Sequence, residues 1–144
     1  RQLRRFPTRK VRGRFRVLTL SGLYLIAFVV IHMGSVYAGR IFMGVDTNLY
    51  FAAAGYRVFP FNLFFYPYYF TAIFAAFAHL GAVLWLRRRA AQPIIADRLY
   101  WGALTTGLCA ATLITLGISG TFAPFEIPDS YLDTYRAMLP SFIE

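Results

Sequence analysis

With 58% hydrophobic and 19% aromatic residues among 144, and a mean hydropathy of +0.53, the chain is too apolar for an ordinary soluble domain. Its formal charge of +9 does not read as a nucleic-acid footprint, because the basic residues gather at two points of the chain instead of spreading over a face. A single cysteine excludes an internal disulfide, and the absence of a Cys cluster and of a GxGxxG run excludes an iron–sulfur or dinucleotide site carried by this chain alone.

Residues 1–16 form a basic arm that holds eight of the fifteen cations: Arg1, Arg4, Arg5, Arg9, Lys10, Arg12, Arg14 and Arg16. Arg1 is not a natural start, so a further N-terminal piece is expected. Residues 17–38 then run without an interior charge, long enough to cross the ~30 Å hydrocarbon core as a helix. The run is too long for a signal peptide and lacks a cleavage-type ending. In the connection 40–63, Asp46 is expected to cap a short helix reaching about Arg57, and Pro60 and Pro67 punctuate a dense aromatic run. Tyrosines with one wet end suit a membrane interface, so this run reads as an aromatic belt.

A second span covers 64–86, followed by Arg87, Arg88, Arg89 and Arg98, and a third covers 99–121. Thr105, Cys109, Thr112 and Ser119 share one stripe of the third span, which is ordinary helix-packing chemistry; Cys109 reads as a small packing residue. Gly120 and Pro124 end that helix. The tail 128–139 reads as a short amphipathic helix with Tyr131, Leu132, Tyr135, Met138 and Leu139 on one face, lying on the outer surface or on a neighbouring subunit. The expected fold is all-α and integral to the membrane: three transmembrane helices in an up-down-up bundle. Along the chain this gives an arm (1–16), a transmembrane domain (17–122) and an outer tail (123–144). Only Arg40, Arg57 and Arg136 lie on the side of the first loop, so the positive-inside bias places the N-terminus inside and the C-terminus outside. The arm is expected to meet anionic lipid or a partner subunit.

Two histidines, His32 and His79, are the only ones in the chain, and both fall within apolar spans. An ionisable group inside hydrocarbon is by default a functional-site hypothesis, and a neutral imidazole is a common ligand for haem iron. Helical spacing puts Ser21, Leu25, Phe28, Ser35 and Gly39 on the His32 face, and Tyr68, Ala72, Ala75, Ala76, Ala82 and Val83 on the His79 face. So many small residues have two explanations: close helix approach, or room for a flat macrocycle. His32 lies past the middle of its span toward the outside and His79 toward the inside. The rings then differ in depth by about 12 Å at 1.5 Å rise per residue. They are therefore not expected to share one iron within one chain; as haem axial ligands, each would need a second ligand from another chain.

The run Ser21-Gly22-Leu23-Tyr24-Leu25 followed by His32, and Ala78-His79-Leu80-Gly81 followed by basic residues, resemble the haem-ligand helices of the cytochrome b membrane-anchor subunits of succinate dehydrogenases and fumarate reductases. The resemblance covers roughly residues 15–122. It departs from the family's long form, which has five helices and four ligand histidines, and from its short form, whose Ser-x-x-His-Arg and His-x-x-x-Gly-x-Arg-His elements are absent here.

The resemblance implies a haem b-binding anchor passing electrons between an iron–sulfur or flavin partner and quinone, in a bacterial or mitochondrial inner membrane. It would be at most an electron-transfer or non-catalytic subunit of an oxidoreductase, and a two-fold homodimer could pair equivalent histidines. Ser21, Tyr37, Tyr100 and Trp101 are the polar interface groups that would meet quinone. The alternative is a cofactor-free accessory subunit of a large respiratory or photosynthetic complex, its histidines only hydrogen-bonding across helices. A proton path is a weaker third reading, since the spans hold no acid for a relay.

Overall fold

A computed structural model describes residues 8–139. It contains helices α1 (Thr8–Ile41), α2 (Leu49–Arg57), α3 (Phe61–Arg88), α4 (Pro93–Ile118) and α5 (Asp129–Ala137), with no strand among the described residues. Arg1, Arg4, Arg5 and Glu144 lie outside them.

Helices α1, α3 and α4 are each long and apolar enough to cross a membrane. Even the 26 residues of α4 extend about 39 Å, beyond the ~30 Å core. Their apolar side chains are not hidden. Leu20, Ile26, Val30 and Ile41 on α1 and Trp101 on α4 are each at least 60% exposed. Large apolar surface of this kind needs a non-aqueous neighbour, and a helix, with its backbone hydrogen bonds closed internally, is the form that can present it to lipid. This is a multi-pass membrane protein. Pro67 lies inside α3, where it removes one backbone donor; a membrane helix tolerates this better than an exposed one.

Packing divides the chain into two compact units, each built from part of α1, part of α3 and part of α4. The first comprises Ala72–Ala110 with the described part of Arg1–Ala27. Its core is Ala82, Trp85, Ala96 and Tyr100, with Val11, Val17, Leu18, Leu86 and Leu104 packed around it. Small residues bring α3 and α4 together here. A Cβ at Gly81 would stand 2.9 Å from Ala103 Cβ, and one at Gly107 would stand 2.5 Å from Phe77 Cβ. Around Gly81 and Ala82 the small residues of α3 therefore serve close helix approach.

The second unit, Phe28–Thr71 with the described part of Ala111–Glu144, contains α2 and α5. Its core of Ala53, Ala54, Val58, Ile127 and Tyr135 joins these two short helices, with Phe51, Phe61 and Phe65 around it. The expected apolar face of α5 is the one that packs, and it packs on this chain's own α2. One local expectation is corrected. The cap of α2 is Asn48, whose Oδ1 accepts from Tyr50 N and Phe51 N; Asp46 instead accepts from Asn48 Nδ2 and lies 3.9 Å from Arg40 Nη2. Asn48 is immediately next to the first helical residue and Asp46 is not, which is what a cap requires.

Helix α4 ends as expected at Gly120. With φ +77° there, Gly120 N donates to Gly117 O and Thr121 N to Leu116 O, the paired closure of a Schellman motif.

The contact at Gly107 makes a direct test of α3–α4 packing. Gly107→Leu should destabilise the detergent-solubilised protein by about 1–3 kcal/mol through overpacking against Phe77. Gly102→Ala, on open space in the same helix, should leave thermal unfolding unchanged or slightly raised.

Candidate functional site

His79 lies on α3 in the first unit, and its Nδ1 is 3.2 Å from Ser21 Oγ on α1. Ser21 is 7% exposed and its hydroxyl also lies 2.6 Å from Val17 O and 3.2 Å from Leu18 O. A hydroxyl carries one proton and two lone pairs. With that proton on Val17 O, Ser21 Oγ accepts from a protonated His79 Nδ1; with the other tautomer the hydroxyl donates to Nδ1 instead. Beside Ser21, Gly22 gives the ring its place: a Cβ there would be 3.2 Å from His79 Cε1. The Ser21-Gly22 pair of α1 thus serves the histidine of α3, one residue orienting it and the other making room.

His32 is placed differently. It belongs to the second unit, stacked on Phe28 (ring centroids 5.3 Å apart, planes 9° apart) and edge-on to Tyr69 at 6.0 Å. Neither ring nitrogen makes a hydrogen bond among the described residues. It lines a cavity of ≈160 Å³ together with Thr47, Asn48, Tyr68 and Tyr69. Nearby, Tyr56 and Tyr135 are 3% and 2% exposed; the Tyr56 hydroxyl faces Thr115, and that of Tyr135 has no partner among the described residues. Burial pushes both phenols above the ordinary tyrosine range, so both are neutral across the physiological range.

A third group sits in the first unit where α3 ends and α4 begins. The Arg14 guanidinium lies 3.3 Å over the Tyr100 ring, with Trp85 and Trp101 at 5.2 and 5.6 Å. Asp97 accepts from Lys10 Nζ at 2.5 Å and from Trp85 Nε1 at 2.8 Å, and lies 3.4 Å from Arg14 Nη2. Arg14 is only 7% exposed, and its Nη1 has no partner among the described residues. A planar cation stacked on aromatic faces is well suited to such burial, where a lysine would not be.

Among the sequence-derived quinone candidates, the structure brings Tyr100 and Trp101 together around Arg14. It commits Ser21 to His79 and leaves Tyr37, at 58% exposed, on the surface of α1. The Arg14–Asp97 pairing is the feature the sequence reading passed over. The available signal was that Asp97 is the one acid on the basic side of the spans. Among the described residues no three His, Cys, Asp or Glu side chains gather into a ligand set for a bare metal ion. No family model, curated protein or solved structure matches the chain.

Removing the Asp97 carboxylate leaves a buried guanidinium short of a counter-charge. Asp97→Ala should cost about 1–3 kcal/mol in detergent unfolding, below the figure for a fully buried pair because the Asp97 side chain is 35% exposed. Asp97→Asn, which still offers an acceptor to Trp85 Nε1, should cost less. An Asp97→Asn variant as stable as the unmodified chain would show that charge has no part in the cluster.

Proposed function

We propose that this chain is the membrane-anchor subunit of a respiratory-type complex, binding haem b and passing electrons between a redox partner and quinone. The observation that supports this most is the 3.2 Å contact between His79 Nδ1 and Ser21 Oγ. A histidine held by its Nδ1–H, with Nε2 free, is the form in which imidazole ligates iron, and an outer partner that fixes tautomer and ring orientation is the usual accompaniment of such a ligand. In these respects the residues present fit the group. His79 would hold the iron, with a further ligand from another chain. Haem, when bound, would supply one-electron transfer.

The chain's own residues do the rest. Ser21 keeps the Nδ1 proton in place and prevents the ring from swinging, and Gly22 admits the ring against α1. At the Arg14 cluster, the unfilled Nη1 donor and the aromatic faces of Tyr100 and Trp101 suit a quinone carbonyl near the membrane surface. His32 has no orienting hydrogen bond among the described residues. It is the second candidate ligand, on a different iron from His79 in keeping with the depth difference read from the sequence. The orientation follows from charge: N-terminus, basic arm and the α3–α4 link inside, α2, α5 and the C-terminus outside, in a bacterial or mitochondrial inner membrane. The partners are other subunits of the complex, or a second copy of this chain, with anionic lipid at the arm.

A reduced-minus-oxidised visible spectrum of the detergent-purified complex tests this reading. The expected result is a b-type α-band that His79→Ala removes without loss of helix content. Ser21→Ala should retain haem at lower occupancy, by about 10–100-fold in affinity, as for other outer partners of metal ligands. A complex purified intact without any α-band would contradict haem binding, and both histidines would then be packing residues of an accessory subunit.

A further inference from the structure

At the end of α1 the chain turns back along the helix it has just left. Gly44, at φ +62°, makes the turn, and Val45 N donates to Gly39 O. Thr47 then lies against α1: a Cβ at Gly39 would be 2.9 Å from Thr47 Cγ2. Arg40 Nε donates to Thr47 Oγ1 at 2.7 Å, and Arg40 Nη2 is 3.9 Å from Asp46 Oδ1. A cation and an anion thus stand side by side at the end of a membrane helix, their side chains 59% and 67% exposed. An exposed pair of this kind adds little to stability by itself.

Beside the pair, the second unit holds a cavity of ≈450 Å³, within the ~300–1,000 Å³ typical of small-molecule sites. The end of α1 and the turn after it give the cavity Ala38, Gly39 and Met43, α3 gives Phe61 and Phe64, and α5 gives Met138. Arg40 falls between Gly39 and Met43, so charge pair and cavity share one short stretch of chain. The two polar side chains on the wall offer little: Ser35 Oγ donates its proton to Ile31 O, and the Tyr135 hydroxyl is shut off from water. Met43 and Phe64 are also exposed at the surface, so the cavity opens toward the lipid around the helices. Water would find few partners in such a place, and hydrocarbon fits it.

An occupant must suit both halves. The cavity takes a hydrocarbon chain. The pair outside it takes a phosphate on Arg40, whose planar fork matches phosphate oxygens, and an N–H cation on Asp46, which can only accept. A phospholipid with a primary ammonium in its headgroup carries all three groups. A phosphatidylglycerol headgroup would leave Asp46 facing phosphate without a cation, and a quaternary choline has no N–H for the carboxylate.

We infer that the end of α1 binds a zwitterionic phospholipid with an amine headgroup, such as phosphatidylethanolamine. Its phosphate lies on Arg40, its ammonium on Asp46 and one acyl chain in the ≈450 Å³ cavity. The site requires neither haem nor quinone, and it uses the opposite end of α1 from the basic arm. Only the leaflet depends on the proposed orientation, which makes it the outer one.

Phosphatidylethanolamine with a photoreactive diazirine in one acyl chain, added to the purified full chain in detergent and mapped by mass spectrometry, tests the assignment. Adducts are expected on peptides carrying residues 35–43, 61–65 and 135–138. Unlabelled phosphatidylethanolamine should suppress them at about one-tenth of the concentration needed of phosphatidylcholine or phosphatidylglycerol, the value of one hydrogen bond. Asp46→Asn should erase the preference over phosphatidylcholine while the adducts persist. Arg40→Gln should weaken all three lipids by about tenfold. Both changes fall on exposed side chains and leave the packing of the unit intact. Ala38→Phe, which fills the cavity, should remove the adducts. Equal suppression by the three lipids, or adducts spread over the exposed face of α1 from Leu20 to Val30, would overturn the site. Stronger suppression by phosphatidylglycerol would overturn the headgroup assignment, because Asp46 would then have no part in recognition.

Discussion

The proposed role of His79 depends on one serine hydroxyl. Ser21 Oγ lies 2.6 Å from the carbonyl one turn back in its own helix and 3.2 Å from His79 Nδ1. With the hydroxyl proton on that carbonyl, Ser21 accepts from Nδ1, and Nε2 is left as the acceptor nitrogen. Without Ser21 the ring would be free to choose either tautomer; with a Cβ at Gly22 it would have to move away from α1. The proposed haem chemistry depends on this geometry, which is local, polar and set at the junction of two apolar helices.

The rest of the molecule reflects the same economy of polar groups. Three helices offer lipid a largely apolar surface, and Arg14, Ser21 and Thr115 are the polar side chains they bury. Arg14 is the costliest of these, and aromatic faces together with Asp97 offset its burial. The second unit solves a different problem. Two short helices, α2 and α5, pack a dense set of phenol and phenyl rings, and the Tyr135 hydroxyl there has no partner among the described residues.

Much of this was legible in the sequence. Long uncharged runs fixed the three membrane helices, and the apolar spacing of α5 named the face that packs on α2. Gly120 declared its own helix end. What periodicity could not give was partnership between helices. Ser21 lies on the His32 face of α1, so reading along one helix joins those two residues, whereas folding joins Ser21 to His79. Asp46 looked like a cap because acids favour that position, but Asn48 is the residue adjacent to the first turn. Asp97 escaped notice because its meaning depends on Arg14, 83 residues earlier.

The most direct measurement is the tautomer of His79. Nitrogen-15 NMR of the haem-free chain, labelled only at histidine and assigned with His32→Gln, distinguishes the two neutral forms by their nitrogen shifts. The account predicts His79 protonated on Nδ1, with that preference lost in Ser21→Ala. A histidine protonated on Nε2 in the unmodified chain would contradict it, since the nitrogen proposed to ligate iron would then carry the proton.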